Sequence, residues 1–144
     1  MARLLATNLD VCMLEERGTM IVPGDTPDTD VPSKSGAEVF EELGGRFLLR
    51  FLLPGQVSTE EKLSQIPPRK QWVTPTPYSP KETIAMLALP APDYPREYVF
   101  VLDPRKIANV LGPRRVRLGI GIEYILPDGF PKEALVLPWP LEVA

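Results

Sequence analysis

The stretch LGIGIEYILPDG, Leu118 to Gly129, is the segment that decides the fold. Two glycines, Gly119 and Gly121, lead into residues 122–125, where apolar side chains alternate with others as they do in a β-strand. The alternation places Glu123 in the middle of that strand. A strand glutamate either faces water, which is the ordinary case, or acts on a ligand for which the neighbouring glycines leave room.

The length and composition of the chain are typical of one globular domain, which we predict to include residues 1–144. Hydrophobic residues make up 44% of the sequence, an ordinary share for a globular protein. The single cysteine, Cys12, cannot form a disulfide within the chain. The net charge is −3 and no run of about 18 apolar residues occurs, so we expect neither a nucleic-acid partner nor membrane insertion.

The chain contains no histidine, which removes many kinds of chemistry. Ser-His-Asp and Cys-His nucleophile systems are excluded, as is most zinc catalysis. One cysteine cannot supply a thiolate cluster either, so we predict no bound metal. Any catalysis must depend on carboxylates, arginine, lysine, hydroxyl groups or the backbone.

Apolar periodicity and turn signals predict a small α+β domain, with short helices in the first half and strands in the second. Residues 23–36 form a polar segment rich in proline and aspartate, which we predict to be a mobile loop. The predicted helices are residues 3–16, 37–43, 58–65 and 79–90. The predicted strands are residues 46–53 (with a buried helix as the alternative), 69–78, 96–104, 122–125 and 133–139, while residues 105–113 contain at most a helical turn.

From Trp72 onward, the order of segments resembles bacterial polymorphic-toxin domains with the ADP-ribosyltransferase-like fold, a group that includes the necrotising-toxin-type NAD glycohydrolases. The segments that carry the resemblance are QWVTPTPYSP, AMLALP, EYVFVLDP, VLGPRRVRLGIG and IEYILPDGF, and they cover about 65–70 residues. The resemblance implies a mainly antiparallel split sheet. It also implies an enzyme that cleaves the nicotinamide–ribose bond of NAD, by hydrolysis or by ADP-ribosyl transfer to a macromolecular acceptor.

The same resemblance implies a biological setting. Such domains are secreted or delivered effectors that act in the cytoplasm of a target cell, and a cognate immunity protein binds them. The resemblance also implies that NAD is the substrate and that the reaction requires no metal.

The resemblance gives the catalytic role to Glu123. Cleavage of the N-glycosidic bond creates an oxocarbenium-like sugar, which a nearby carboxylate stabilises more strongly in the transition state than in the ground state. Arginine-directed members carry an acid two residues before this glutamate, where this chain has Gly121. Modification of an arginine is therefore not implied. Gly119 and Gly121 would let the dinucleotide, or the preceding loop, approach the backbone.

The two phosphates of a dinucleotide need a guanidinium group, because its planar fork offers paired donors and stays charged. Arg46 and Arg50, in GRFLLRFLL, lie four residues apart and would share one face of a strand. We predict Arg50 as the phosphate ligand and Arg46 as the second choice, because Arg50 lies deeper in the apolar run. The alternative is an arginine at a strand edge that pairs with a surface acid.

The resemblance implies that Trp72, Thr74 and Tyr78 line the nicotinamide pocket. An aromatic face can stack on the nicotinamide ring, and a hydroxyl group can form a hydrogen bond with it. Core packing is the alternative for Trp72, and anchoring of a loop is the alternative for Tyr78. The basic cluster at residues 114–117 either contacts phosphate or an acidic partner, or forms a solvated loop, which is the more usual case.

Two other functions agree with the sequence. A non-enzymatic protein-binding module, such as an immunity or adaptor protein, fits the acidic balance and the lack of histidine equally well. A carboxylate-based glycan hydrolase would need a second acid about 5–10 Å from Glu123. Asp128 and Glu97 are the candidates for that second acid.

Overall fold

The computed structural model describes residues 10–53, 69–87, 89, 96–136 and 141–142. Its helices are residues 10–16 (α1), Gly36–Glu42 (α2) and Glu82–Leu87 (α3). Its strands are Ser33–Lys34 (β1), Leu48–Leu52 (β2), Gln71–Val73 (β3), Tyr98–Leu102 (β4), Val110–Arg115 (β5), Ile122–Leu126 (β6) and Leu141–Glu142 (β7). Short 3₁₀ helices occur at Asp28–Asp30, Pro104–Lys106 and Lys132–Ala134.

The strands form two antiparallel sheets. One sheet has the order β1-β5-β6-β3, and the other has the order β2-β4-β7. Leu49 and Thr74 join the sheets through two backbone hydrogen bonds of 2.8 and 2.9 Å. The predicted α+β class and the mainly antiparallel, split arrangement of strands are therefore confirmed. No helix of the described ranges has the length and apolar character needed to cross a lipid bilayer.

The main core lies between the two sheets. On β6, the alternate residues Ile122, Tyr124 and Leu126 point into it and are fully buried, as Phe100 and Leu102 of β4 are. This period of two places the residue between Ile122 and Tyr124 on the opposite face of the sheet. The predicted strand at residues 122–125 is confirmed, and its alternation fixes the direction in which Glu123 points.

Helix α2 packs on the outside of this core through Val39, which is fully buried. Ser35 begins the helix with a capping box, since its hydroxyl accepts a hydrogen bond from the backbone N–H of Glu38 at 3.2 Å. Gly44 and Gly45, with φ angles of 67° and 84°, follow its end. The predicted helix at 37–43 is thus confirmed within one residue at each end.

The prediction for residues 110–113 is wrong, because β5 covers Val110–Arg115. The sequence contains Gly112-Pro113, and proline within a run usually indicates the end of a strand. Here the pairing of β5 with β6 shifts between Leu111 and Arg114, and this irregularity accommodates the proline. The Pro113 carbonyl instead accepts a hydrogen bond from the N–H of Val22 at 3.2 Å.

The remaining boundaries differ from the predictions more modestly. Residues 46–53 form a strand rather than a buried helix, but β2 begins only at Leu48. The predicted strand at 133–139 is wrong at its start, where Lys132–Ala134 is a 3₁₀ helix. The predicted helix at 58–65 lies outside the described residues, as do residues 137–139 of the last predicted strand.

Candidate functional site

A cavity of about 630 Å³ lies on the face of the four-stranded sheet that is opposite the main core. Strands β2, β3, β5 and β6 contribute to its walls, as do the end of α3 and residues 24–28. We call residues 23–30 the strap, because this segment runs along β5 at the edge of the cavity. The cavity lining includes three acidic residues, Asp25, Asp28 and Glu123, and four arginines, Arg50, Arg96, Arg114 and Arg117.

Glu123 lies in this cavity and not in open solvent. Its side chain is 13% exposed. Directly across the ladder, β5 places Arg114 opposite it. Oε2 of Glu123 accepts a hydrogen bond from Nε of Arg114 at 2.7 Å, and Nη2 of the same guanidinium forms an ion-pair contact with this oxygen at 2.5 Å. The carboxylate is thus paired with a guanidinium that is itself only 11% exposed.

Arg114 extends the ion pair to the strap. Its Nη1 donates to the carbonyl of Thr26 at 2.8 Å and to Oδ1 of Asp28 at 2.9 Å. Asp28 also accepts a hydrogen bond from Lys70, whose ammonium group lies 4.8 Å from the centre of the Trp72 ring. Four charged side chains, Lys70, Asp28, Arg114 and Glu123, therefore form a network that alternates in sign, and the last three of them line the cavity. This network ties the strap, predicted to be a mobile loop, to β5 and to the start of β3.

The pKa values in this network follow from burial and pairing. Burial raises the pKa of Glu123 above its usual range, and the hydrogen bond and charge of Arg114 offset only part of that rise. The hydrogen bond from Lys70 leads the effects that hold the pKa of Asp28 below its usual range. Burial alone would lower the pKa of Arg114, but its bonds to Glu123 and Asp28 raise it. Glu123 is therefore a partly desolvated carboxylate beside a cation that stays charged.

Three of the predicted site residues meet in the cavity, namely Glu123, Arg50 and Trp72. Nη1 of Arg50 donates to the backbone carbonyl of Trp72 at 3.4 Å, which links β2 to β3. The Trp72 side chain is 47% exposed, so the alternative of core packing is wrong for this residue. The ammonium group of Lys70 covers one face of the Trp72 ring in a cation–π contact.

The other predicted residues, Arg46, Thr74, Tyr78 and Gly121, do not line the cavity. Arg46 precedes β2 and instead binds Asp10, with 2.5 Å between Nη1 and Oδ1. Its predicted sharing of a strand face with Arg50 fails because the strand begins two residues later. Thr74 is fully buried and donates its hydroxyl hydrogen to the carbonyl of Ile122 at 2.8 Å.

Tyr78 belongs to a second, smaller core. It is buried together with Phe51, Met86 and Val99, on the other side of the three-stranded sheet from the main core. Tyr78 therefore does not form a wall of the cavity, although that role was predicted. Tyr78 anchors the segment between β3 and α3, which agrees with the alternative of a loop anchor.

Gly121 and Gly119 make room for α3 and not for a ligand. The N–H of Gly121 donates to the carbonyl of Met86 at 2.8 Å. A Cβ atom added at Gly121 would lie 2.8 Å from the hydroxyl of Tyr78 and 2.9 Å from the Met86 carbonyl. At Gly119 the same carbonyl would be 2.5 Å away. The glycines that lead into β6 therefore allow the end of α3 to pack against the backbone.

We expect Gly121→Ala to lower the free energy of unfolding by about 1–3 kcal/mol, because the new methyl group overpacks a filled site. Urea denaturation measures the change. Tyr78→Phe removes the nearest of the two oxygens, so the double variant should lose less than the sum of the two single variants. A Gly121→Ala chain with the wild-type unfolding midpoint would contradict the packing role.

The predicted site residues do not include the charged wall residues Asp25, Asp28, Arg96, Arg114 and Arg117, nor Lys70, which pairs with Asp28. Arg96 is almost fully buried, and burial lowers its pKa. For Arg114 the sequence allowed a contact with phosphate or an acidic partner, or a place in a solvated loop, because β5 was not predicted as a strand. A hairpin register that pairs residues 114 and 123 is the signal that could have identified the ion pair. The two acids considered for a glycan hydrolase, Asp128 and Glu97, do not line the cavity.

Comparison with protein-family models, with curated proteins and with solved structures finds no match for this chain.

Proposed function

We propose that this chain cleaves the nicotinamide–ribose bond of NAD, by hydrolysis or by transfer of ADP-ribose to an acceptor. One observation carries the proposal: Glu123 is a partly buried carboxylate, held by a guanidinium, inside a cavity that also contains Arg50 and an exposed tryptophan. The cavity volume of about 630 Å³ lies within the range of about 300–1,000 Å³ that is usual for small-molecule sites.

The chemistry of the bond suits this carboxylate. As nicotinamide leaves, positive charge develops on the ribose, and a fixed carboxylate in a site of low dielectric constant stabilises that charge without reorganisation. Arg50, Arg96 and Arg117 supply guanidinium groups in the same cavity, and guanidinium groups bind phosphate with paired donors. The exposed ring of Trp72 offers an apolar surface to the nicotinamide or adenine ring.

The proposal includes the biological setting that the sequence resemblance implies. The chain acts as a toxin domain with an ADP-ribosyltransferase-like fold, is delivered to a target cell and acts in its cytoplasm. A cognate immunity protein neutralises it. Because Gly121 stands where arginine-directed relatives have an acid, water or a non-arginine acceptor receives the ADP-ribose.

Incubation of the purified chain with NAD tests the proposal. We expect nicotinamide to be released in a time-dependent way, because a carboxylate in this cavity would stabilise the cationic sugar. The products should be separated into free ADP-ribose and modified protein or nucleic acid, which distinguishes hydrolysis from transfer. Intact NAD after prolonged incubation with folded protein would overturn the proposal.

A protein-binding module without enzymatic activity is the second candidate. The turn between β5 and β6 favours it, because Leu118 is 92% exposed there and adopts a left-handed backbone conformation with φ of 65°. Ile120 is also exposed in the same turn. For such a module, expression in a bacterial cytoplasm should not be toxic, whereas an NAD-consuming chain should stop growth.

A further inference from the structure

Arg114 approaches Glu123 in an asymmetric way. The hydrogen bond from Nε at 2.7 Å and the ion-pair contact of Nη2 at 2.5 Å both end on the same carboxylate oxygen, Oε2. Among the described residues, no hydrogen bond ends on the other oxygen, Oε1. The ion pair therefore occupies one oxygen and leaves the second for a group outside the chain, such as a ribose hydroxyl.

The guanidinium itself is held from its other end. Its Nη1 donates to the carbonyl of Thr26 at 2.8 Å and to Asp28 at 2.9 Å. All three nitrogen atoms of the planar group thus have partners on β6 or on the strap. Because a guanidinium is rigid, fixing both ends fixes the plane in which it meets Glu123. Rotation of the carboxylate would break both bonds to Oε2.

We propose that Arg114 is a positioning residue for Glu123: it fixes the carboxylate so that Oε1 faces the substrate, and it keeps the group ionised in a site with little solvent. The inference rests on the proposed function. Arg114 acts through Glu123, whose Oε1 accepts the hydrogen bond from the sugar and stabilises the developing cation.

The charges around Glu123 determine what happens when Arg114 is removed. Burial raises the pKa of Glu123, and Arg114 from β5 opposes this rise most strongly. Asp28 from the strap adds a smaller upward effect, and Lys70 from the start of β3 adds a downward one. Arg50, Arg96, Arg117 and Asp25 also line the cavity, from β2 and from the surrounding loops. Without Arg114, burial and Asp28 prevail, so the carboxyl group takes up its proton at a higher pH.

The test compares Arg114→Met and Arg114→Lys by the pH profile of kcat/KM for nicotinamide release. In Arg114→Met, the fall in activity on the acid side should move upward by about one to three pH units, the usual effect of a neighbouring opposite charge. Arg114→Lys should keep the acid limb near its wild-type position and lower kcat, because one ammonium cannot make both bonds to Oε2. Arg115→Met changes an exposed arginine on the same strand and should leave the profile unchanged.

A folded Arg114→Met variant whose activity falls equally at all pH values would overturn the inference, since a structural role predicts that result. If Arg114→Met does not fold, the inference is tested with Arg114→Lys. A wild-type kcat in Arg114→Lys would overturn the inference. Failure of the proposed function is recognised separately, as absence of nicotinamide release by the wild-type chain. In that case, ¹³C NMR titration of the Glu123 carboxyl, assigned with Glu123→Gln, still tests the effect of Arg114. An equal pKa in the wild type and in Arg114→Met would overturn it.

Discussion

Under the proposed function, replacing Glu123 with alanine will lower the rate of nicotinamide release from NAD by about 100- to 1,000-fold, the usual effect of removing one group that stabilises transition-state charge. The carboxylate is placed in the cavity by the alternation of β6 and by the guanidinium of Arg114. Its charge matters most when the sugar becomes cationic, so kcat should fall more than substrate binding. Initial rates at saturating NAD, with nicotinamide measured directly, give this comparison.

We expect the Glu123→Ala chain to remain folded. Arg114 keeps its hydrogen bonds to the Thr26 carbonyl and to Asp28 when the glutamate is removed, so its charge is not left without a partner. Burial of Glu123 also opposes its ionisation, which offsets part of what the ion pair contributes. Circular dichroism and the urea midpoint should establish the fold before rates are compared. Glu123→Gln is less decisive, because glutamine keeps an oxygen that can accept a hydrogen bond from the sugar.

Two acidic residues outside the cavity serve as matched controls. Asp128→Asn and Glu97→Gln each remove one exposed carboxylate and should leave the rate of NAD cleavage unchanged. If either control reduces activity as much as Glu123→Ala does, the assignment of Glu123 is wrong and a two-carboxylate mechanism regains support. An unchanged rate of NAD cleavage in folded Glu123→Ala would show that Glu123 has no catalytic role.

The sequence predicted those parts of the fold in which local pattern and tertiary packing agree. Two central strands, β4 and β6, were predicted correctly from the alternation at residues 122–125 and the apolar run at 98–102. In both strands the local pattern agrees with the packing, because each has a face in the core. The helix predicted at 37–43 agrees closely with α2, which Gly44 and Gly45 follow with positive φ values that few other residues adopt. In the cavity, the same logic correctly put Glu123 on the face of β6 opposite the core.

The rest depended on pairings that no local pattern encodes. Arg114 reaches Glu123 only because β5 is a strand, and Gly112-Pro113 hides that strand from periodicity arguments. The two glycines before β6 indicated close approach correctly, but sequence could not say that α3 would be the approaching element. The sequence favoured Arg50 over Arg46 but placed both on one strand face, and the start of β2 at Leu48 leaves only Arg50 on that strand.

Gly36→Ala will destabilise the chain at or above the upper end of the roughly 1–3 kcal/mol usual for overpacked cores. A Cβ atom at this position would lie 1.7 Å from the carbonyl oxygen of Pro104 and 2.3 Å from that of Ile107. Both neighbours are backbone atoms, so no side chain can rotate away. Helix α2 would have to move, which breaks the 2.9 Å hydrogen bond from the N–H of Gly36 to Ile107 and displaces Val39 from the core.

Two other substitutions separate this clash from ordinary effects of a changed helix. Ala37→Ser adds one atom at the next, exposed position and should change the free energy of unfolding by no more than about 0.5 kcal/mol. At Gly44, an added Cβ would meet only the flexible end of Arg17 at 3.0 Å, so Gly44→Ala should cost only about the 1–2 kcal/mol of a left-handed backbone. Urea unfolding of the three variants should therefore rank Gly36→Ala as the least stable. If Gly36→Ala were as stable as Gly44→Ala, α2 would not lie against the Pro104–Lys106 turn as described, since a backbone oxygen at 1.7 Å leaves no room for a methyl group.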